Sequence, residues 1–496
     1  MHRDAAFRPG AAEPPTADDT IRDLGLDLVI RAMAREDPTL ERSARAALAA
    51  PLTDPAAIAY RQGVLADSLA HPGVVREMYA RAREASDGVR EAVGGLRIGP
   101  ESVLRGAIEA LRISLPILTW MRGVARREGK AFESEGFRLF FAAVEEGLDD
   151  EFFAAAERHV AELGHRRVAT LTARVGRTAQ GTDYVPLAEG AEEDRGPRSA
   201  FGGRRGSQTY RIPEADEKAR RELSELRVRG LTPVVEAASR ASRQVVSFLD
   251  SLMSELAFYV GSLNLADDLA AAGHPVVVPP VAPRTPRGRA ARGFSFRDLR
   301  DVALAIASGR EVVGHDVDAT GATLVAITGA NGGGKSTLLR SIGQAQVMMQ
   351  AGTVVGAAAF SSRVAPAIAT HFPRAEDVAL ARGRLDDELY RMAARVDALT
   401  NGSLLLCNES FASTNEREGS EIARQIVAAL RERGVRVAYV THLFHLAHGW
   451  NRDEAEGAVF LRAERADDGT RPFRFVRGEP LSTSFGADLY REVFGE

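Results

Sequence analysis

The chain has 496 residues, of which 45% are hydrophobic and 27% charged, a composition typical of soluble globular proteins with about two to four domains. Its formal net charge of −4 excludes a global positive charge, so any DNA contact must come from a local patch or an enclosing shape. The single cysteine, Cys407, excludes an intramolecular disulfide. Neither a signal peptide nor an apolar run of the ~20 residues that span a membrane is present, and we expect a cytoplasmic protein.

The first half of the chain has the apolar spacing of helices. Residues 1–18 are rich in Pro, Ala and Asp and predict a disordered tail. Residues 19–274 predict a helical domain, with a Gly- and Arg-rich flexible insertion or small exposed hairpin at about 175–213. Its longest predicted helix runs from about Glu214 to Asp268, and we expect Pro233 to break or kink it.

The second half alternates short apolar strands with helices. A Pro- and Arg-rich segment, 275–293, predicts the domain boundary, and residues 294–496 predict an α/β nucleotide-binding domain with a parallel sheet. The fold class is therefore α + α/β. The predicted strands are Leu324–Thr328, Leu404–Cys407 and Val435–Thr441, and the predicted helices are Leu338–Gln350, Arg384–Leu399 and Glu418–Arg433.

A phosphate-binding loop lies between the first of these strands and the first of these helices. Its sequence matches G-x-x-x-x-G-K-[ST], a motif in which glycines let backbone N–H groups face the phosphates of a nucleotide. Lys335 adds a cation, and the hydroxyl of Ser336 is suited to Mg²⁺. The alternative is a glycine-rich turn without a ligand. The predicted nucleotide-binding residues are Gly329, Ala330, Asn331, Gly332, Gly333, Gly334, Lys335, Ser336 and Thr337.

Two further strands end in polar residues that suit nucleotide hydrolysis. Asn408 stands where a P-loop ATPase has a metal-binding carboxylate. We therefore expect Asn408 to hold Mg²⁺ together with Ser336, although it brings no negative charge. Glu409 is the candidate general base, and His442 is the candidate sensor of the γ-phosphate. The alternative is that these are only the polar ends of strands.

The second half resembles the ATPase domain of the MutS family of DNA mismatch-repair proteins, a branch of the ABC-type ATPases, over about residues 311–490. The helical half resembles the core and lever region of that family more loosely. The matching segments are Thr328–Thr337, Asn408–Gly419, Thr441, His442 and Leu446, Gly352, Glu376 and Asp377, Gly478–Gly486, Leu52–Leu65 and Phe248–Ala257.

The resemblance implies a helical lever domain followed by an ABC-type P-loop ATPase domain. It also implies a homodimer that binds ATP and Mg²⁺ and contacts double-stranded or branched DNA. Several family features differ: the mismatch-recognition, connector and C-terminal helix-turn-helix domains are expected to be missing, and the clamp is reduced to about 165–213. In addition, Leu385–Asp387 replaces the Ser-Thr-Phe loop that crosses to the partner.

Three functions compete at this point. The resemblance favours a DNA-binding ATPase of repair or recombination, whereas the missing DNA-reading domains favour an ATP-driven scaffold acting on a protein partner. A transporter ATPase would carry an L-S-G-G-Q signature, which we do not find. Two arginine clusters offer phosphate contacts to DNA, although solvated linkers explain them equally well. They are Arg195, Arg198, Arg204 and Arg205, and Arg284, Arg287, Arg289 and Arg292.

Overall fold

The structure is a computed structural model, and the chain has two compact units in it. One unit comprises Met1–Val75, Glu133–Phe137 and Ser254–Glu496, and the other comprises Arg76–Phe132 and Arg138–Met253. The residues described are 13–94, 99–164, 171–175, 181–186, 217–281, 293–330, 332–374, 383–453, 455–464 and 471–480.

Helices dominate the first half of the chain, and helices alternate with strands in the second. The helices are α1 (Ala17–Leu24), α2 (Leu26–Ala34), α3 (Pro38–Ala49), α4 (Pro55–Ala70), α5 (Pro72–Val93), α6 (Pro100–Glu128), α7 (Glu135–Gly147), α8 (Asp150–Gly164), α9 (Glu217–Ala271), α10 (Val302–Ser308), α11 (Lys335–Ala351), α12 (Arg384–Ala398), α13 (Glu416–Glu432) and α14 (Phe444–Asp453). The strands are β1 (Leu171–Val175), β2 (Gly181–Pro186), β3 (Phe294–Leu299), β4 (His315–Asp318), β5 (Leu324–Thr328), β6 (Ala359–Ser362), β7 (Ile368–His371), β8 (Leu404–Asn408), β9 (Arg436–Val440), β10 (Ala458–Ala463) and β11 (Phe475–Arg477).

Local sequence sets the start of several helices. Asp37 and Asp54 each precede a proline, and their carboxylates accept hydrogen bonds from backbone N–H groups in the first turns of α3 and α4. Asn415 caps α13 in the same way by accepting from the N–H of Arg417. Each cap satisfies donors that have no partner within the helix, and proline suits the first helical position because its missing N–H is not needed there.

The central sheet has, among the described residues, six strands in the order β11-β10-β5-β9-β8-β7. The strands from β10 to β7 are parallel, and β11 pairs antiparallel at the edge. Every residue of β5 and β9 is buried, as expected for parallel strands covered on both faces. A second sheet, β4-β3-β6, is antiparallel. The α + α/β prediction is thus confirmed in its helical and mixed-sheet content, and the predicted strands and helices correspond to β5, β8, β9, α11, α12 and α13.

The N-terminal helix is part of the sheet-containing unit and packs against its other elements. The carboxylate of Asp19 accepts from Arg374 at 2.8 Å and also contacts buried Arg395, while the carbonyl of Leu24 accepts from Gln344 of α11 at 2.9 Å. Helix α1 begins at Ala17 and buries its apolar face, so the last two residues of the predicted disordered tail, Ala17 and Asp18, are helical. Residues 1–12 lie outside the described part.

The longest helix passes through Pro233 without ending there. Helix α9 has 55 residues, so the expectation of a break is wrong. Because Pro233 is exposed, water can replace the backbone hydrogen bond that its ring removes. At the start of the predicted insertion, β1, which ends at Val175, forms an antiparallel pair with β2, while residues 176–180 and 187–216 are not described. No helix in the described residues has the length and apolar character needed to cross a membrane. The predicted boundary at 275–293 stays a prediction, since most of it lies outside the described residues.

Candidate nucleotide-binding site

Glycines shape the loop between β5 and α11. Gly329, Gly332 and Gly334 have φ angles of 131°, 75° and 85°, which side chains with a Cβ rarely adopt. A Cβ on Gly329 would also lie 2.7 Å from the Cβ of Ala463 on β10. All three positions therefore favour glycine for its conformation, and Gly329 also requires it for space. Asn331, another predicted loop residue, lies outside the described part.

Lys335 begins α11 and reaches back over the loop. Its ammonium donates to the carbonyls of Gly329 at 2.9 Å and Ala330 at 3.0 Å, and the residue is buried. Burial lowers the pKa of Lys335, the carboxylate of Glu409 raises it, and the guanidinium of Arg471 lowers it further. The loop therefore holds a desolvated cation next to backbone groups that can turn towards an anion.

The two predicted magnesium ligands meet at the end of the sheet. Ser336 Oγ donates to Asn408 Oδ1 at 3.0 Å, because α11 starts beside the carboxyl end of β8. A hydroxyl and an amide oxygen are neutral oxygen ligands of the kind that Mg²⁺ accepts. The residue pair fits the metal, although it supplies no negative charge.

Glu409 and His442 form a charged pair beside the loop. Glu409 Oε1 lies 3.6 Å from His442 Nδ1. The interaction lowers the pKa of Glu409 and raises the pKa of His442. Glu409 adopts a left-handed backbone with φ of 52°, and its N–H donates to the carbonyl of Val440 at 2.9 Å. The carboxylate is consequently held ionised next to Lys335, as a proton acceptor requires.

A buried cluster supports the loop that carries Glu409. Ser410 Oγ lies 2.6 Å from His371 Nδ1, and the N–H of Phe411 donates to Glu388 Oε2 at 2.6 Å. The hydroxyl of Tyr439 donates to the carbonyl of Ser410 at 2.7 Å. Burial lowers the pKa of His371 to about 3, so this histidine is neutral near pH 7. No sequence motif indicates this cluster, because its members come from β7, β9, α12 and the segment after β8.

A cavity of about 710 Å³ opens beside the phosphate loop. Lys335, Ser336 and Glu409 are among the polar residues that line it. Val312, Val313, His315 and Phe473 also line it and contribute apolar and aromatic surface. No sequence motif predicts these four residues as part of the site. Val312, Val313 and His315 reach the cavity because they lie just before or in β4, and Phe473 reaches it because it lies just before β11.

Two family models match the chain. The MutS2 N-terminal domain matches residues 53–272, and MutS domain V matches residues 325–492. The chain belongs to the MutS family. The domain V match includes the phosphate loop from Gly329 onward, together with Asn408, Glu409 and His442, which the fold brings into one site.

Curated MutS proteins align with parts of the chain. "Endonuclease MutS2" of Anaeromyxobacter sp. (strain Fw109-5) is 33% identical over 203 residues, which are 39% of this chain and 24% of the relative. "DNA mismatch repair protein MutS" of Thermus aquaticus is 28% identical over 415 residues, 78% of this chain and 45% of the relative. "DNA mismatch repair protein MutS 2" of Halobacterium salinarum is 31% identical over 166 residues, 33% of this chain and 19% of the relative. The alignments therefore span less than half of each of these MutS proteins.

Several predicted MutS-like features lie outside the described residues: both arginine clusters, the acidic pair Glu376 and Asp377, and residues 481–486. Leu385–Asp387, the segment predicted to replace the Ser-Thr-Phe loop, lies in the first turn of α12, where Asp387 pairs with Arg391 at 2.8 Å. An acidic side chain there does not suit contact with a phosphate of a partner subunit.

Proposed function

We propose that this MutS-family chain binds ATP at the glycine-rich loop, hydrolyses it with Mg²⁺ present, and uses the cycle to move its helical levers during DNA repair or recombination. One observation carries the proposal: Lys335, the Ser336–Asn408 pair and the Glu409–His442 pair surround the mouth of one loop. An ABC-type P-loop ATPase brings together the same kinds of group, except that it has a carboxylate where Asn408 stands.

In this proposal the loop amides and Lys335 stabilise the charge on the transferred phosphoryl group. Ser336 and Asn408 would hold Mg²⁺, which when bound neutralises charge on the phosphate oxygens. Glu409 accepts a proton from the water that attacks the γ-phosphorus, while the bond from that phosphorus to the leaving ADP oxygen breaks. His442 keeps Glu409 ionised and oriented.

The apolar and aromatic side chains that line the cavity suit the nucleoside. Val312, Val313 and Phe473 offer a surface on which a flat base can pack, and Thr337 lines the same cavity. Nucleotide pockets usually combine apolar walls with a few polar anchors. The arrangement supports a nucleotide with a base, in preference to free phosphate or pyrophosphate.

DNA is the proposed partner because the chain belongs to the MutS family, and a homodimer is the proposed assembly. With a net charge of −4, DNA contact would depend on local arginines and would weaken steeply with salt. A gel shift of linear and branched duplexes, with and without ATP and at two salt concentrations, tests this part. Absence of any shift at low salt would favour the alternative of an ATP-driven scaffold acting on a protein.

The ATPase part is tested by Lys335→Ala. We expect turnover to fall to background, because the variant removes the cation that faces the phosphates. Arg477→Ala, which removes a positive charge from the exposed last residue of β11, is the matched control and should keep its turnover. An unchanged ATPase rate in purified, folded Lys335→Ala would refute the assignment.

A further inference from the structure

A second cation lies against the phosphate loop. Arg471 precedes β11, and a Cβ built on Gly332 would lie 2.6 Å from its Nη1. Arg471 lies in the segment that joins β10 to β11. The two ends of this segment are held together, because the N–H of Glu464 donates to the carbonyl of Arg474 at 2.8 Å and β10 pairs with β11. The guanidinium is thus brought to the loop by a strand pair of the central sheet.

The charge of Arg471 is uncompensated among the described residues. It forms no hydrogen bond or ion pair there, in contrast to Arg300, which pairs with Asp298 at 2.9 Å and Glu311 at 3.0 Å. Glu409 lies near the same loop but is paired with His442. The Arg471 guanidinium also lowers the pKa of Lys335, which means that the two cations repel each other.

Two cations next to one anion-binding loop favour a ligand with several negative charges. Asn408 adds to this imbalance, since it is neutral where a carboxylate would offset positive charge. A bound polyphosphate would attract both Lys335 and Arg471 and offset the repulsion between them. Each charge-assisted hydrogen bond from these side chains to a phosphate would add to the affinity.

We propose that Arg471 binds the phosphate chain of the nucleotide from within the same subunit, as a second cation beside Lys335. This inference rests on the proposed nucleotide binding. Arg471 abuts the middle of the loop, and the lysine of such a loop reaches the β- and γ-phosphates. The contact therefore belongs to the phosphate end of the ligand, whereas Val312 and Val313 are the residues against which we place the base.

The test compares the affinities of the purified full chain for ATP, ADP and AMP by titration calorimetry with Mg²⁺ present. Arg471→Ala should weaken ATP and ADP binding about tenfold or more, the cost of one charged hydrogen bond, and should leave AMP nearly unchanged. Arg471→Lys should recover part of the loss because it keeps the charge. Arg477→Ala, on β11, should bind all three nucleotides like the unaltered chain.

The pattern across nucleotides separates a phosphate contact from a general disturbance of the pocket, which would weaken AMP as well. Unchanged ATP and ADP affinity in Arg471→Ala overturns the inference while leaving the proposed function intact. Equal weakening of all three nucleotides also overturns it. If the unaltered chain takes up no ATP, the proposed function fails first and the role of Arg471 falls with it.

Discussion

Glu409 is held as an ionised carboxylate by its own surroundings. His442 lowers its pKa, and Lys335 adds to this effect, so Glu409 is charged at every pH near neutrality. A carboxylate in this state can accept a proton from water but cannot donate one. Its left-handed backbone and the hydrogen bond to Val440 fix the direction from which it acts.

Glu409→Gln should therefore bind ATP but hydrolyse it at least about a hundredfold more slowly, the usual contribution of a positioned base. The amide keeps the size of the side chain and loses the proton acceptor. Single-turnover hydrolysis and nucleotide binding are measured on the same preparation. Glu421→Gln, an exposed carboxylate paired with Arg424 at 2.8 Å, is the control. Rapid hydrolysis by Glu409→Gln would rule out Glu409 as the base.

The residues of the candidate site were only partly predictable from the sequence. Ser336, Asn408 and Glu409 were found because they follow buried strands at motif spacing, and the fold brings them together. Arg471 and Phe473 carry no such spacing. Phe473 lines the cavity with a left-handed φ of 55°, a local backbone conformation that no pattern of apolar residues encodes.

Helix α9 contains a proline in its interior, a residue that usually breaks helices. It continues through Pro233 although proline costs about 3 kcal/mol relative to alanine in a helix interior. Its stability must come from packing of the apolar positions that follow, among them Ala238, Leu249 and Leu252, all of which are buried. Tertiary burial thus overrides the local preference on which the sequence prediction relied.

Pro233→Ala should stabilise the chain by about 1–3 kcal/mol, because it restores a backbone hydrogen bond and removes a steric clash in an exposed position. Urea unfolding followed by circular dichroism measures the effect. Glu236→Ala, also exposed and one turn along the helix, controls for helix propensity and should change the stability by less than about 0.5 kcal/mol. A lower stability of Pro233→Ala would mean that the proline has a packing role that its exposure conceals.

Burial in the sheet also explains which elements the sequence predicted well. Strands β5 and β9 are apolar along their whole length because both faces are covered, which produces an unmistakable run of hydrophobic residues. Strand β4, with the sequence His-Asp-Val-Asp, alternates buried and exposed positions over only four residues. A pattern this short does not separate a strand from a loop, so β4 and the cavity wall near it were missed.

At the scale of the molecule, two buried histidines couple stability to pH. His315 is 7% exposed and His371 is 1% exposed. Burial lowers the pKa of His315 to about 4 and that of His371 to about 3. The charged groups Arg391 and Arg395 lower the pKa of His371 further, whereas Asp316 partly opposes the shift of His315. Both residues are neutral when folded and become protonated on unfolding below about pH 6.5.

The direction of the effect follows from proton linkage. Because the folded pKa values lie below the unfolded ones, the unfolded chain binds more protons as the pH falls from about 6.5 towards 4. The free energy of unfolding is therefore highest above pH 6.5 and should decrease by about 2 kcal/mol per histidine at pH 5. His442, whose pKa is raised by Glu409, acts in the opposite sense. Its contribution to the free energy of unfolding is present at low pH and is lost as the pH rises through the pKa that His442 has in the folded protein.

His315→Phe should flatten this dependence. Phenylalanine keeps an aromatic ring next to Phe475, whose ring centroid lies 5.4 Å from that of His315, and it cannot take up a proton. Urea unfolding at pH 7 and pH 5 should give a decrease in stability that is smaller in His315→Phe than in the unaltered chain by about 2 kcal/mol. His445→Gln, an exposed site, should keep the full decrease. An equal decrease in all three proteins would mean that His315 is already protonated in the folded state, which its burial opposes because desolvation disfavours the charged imidazolium.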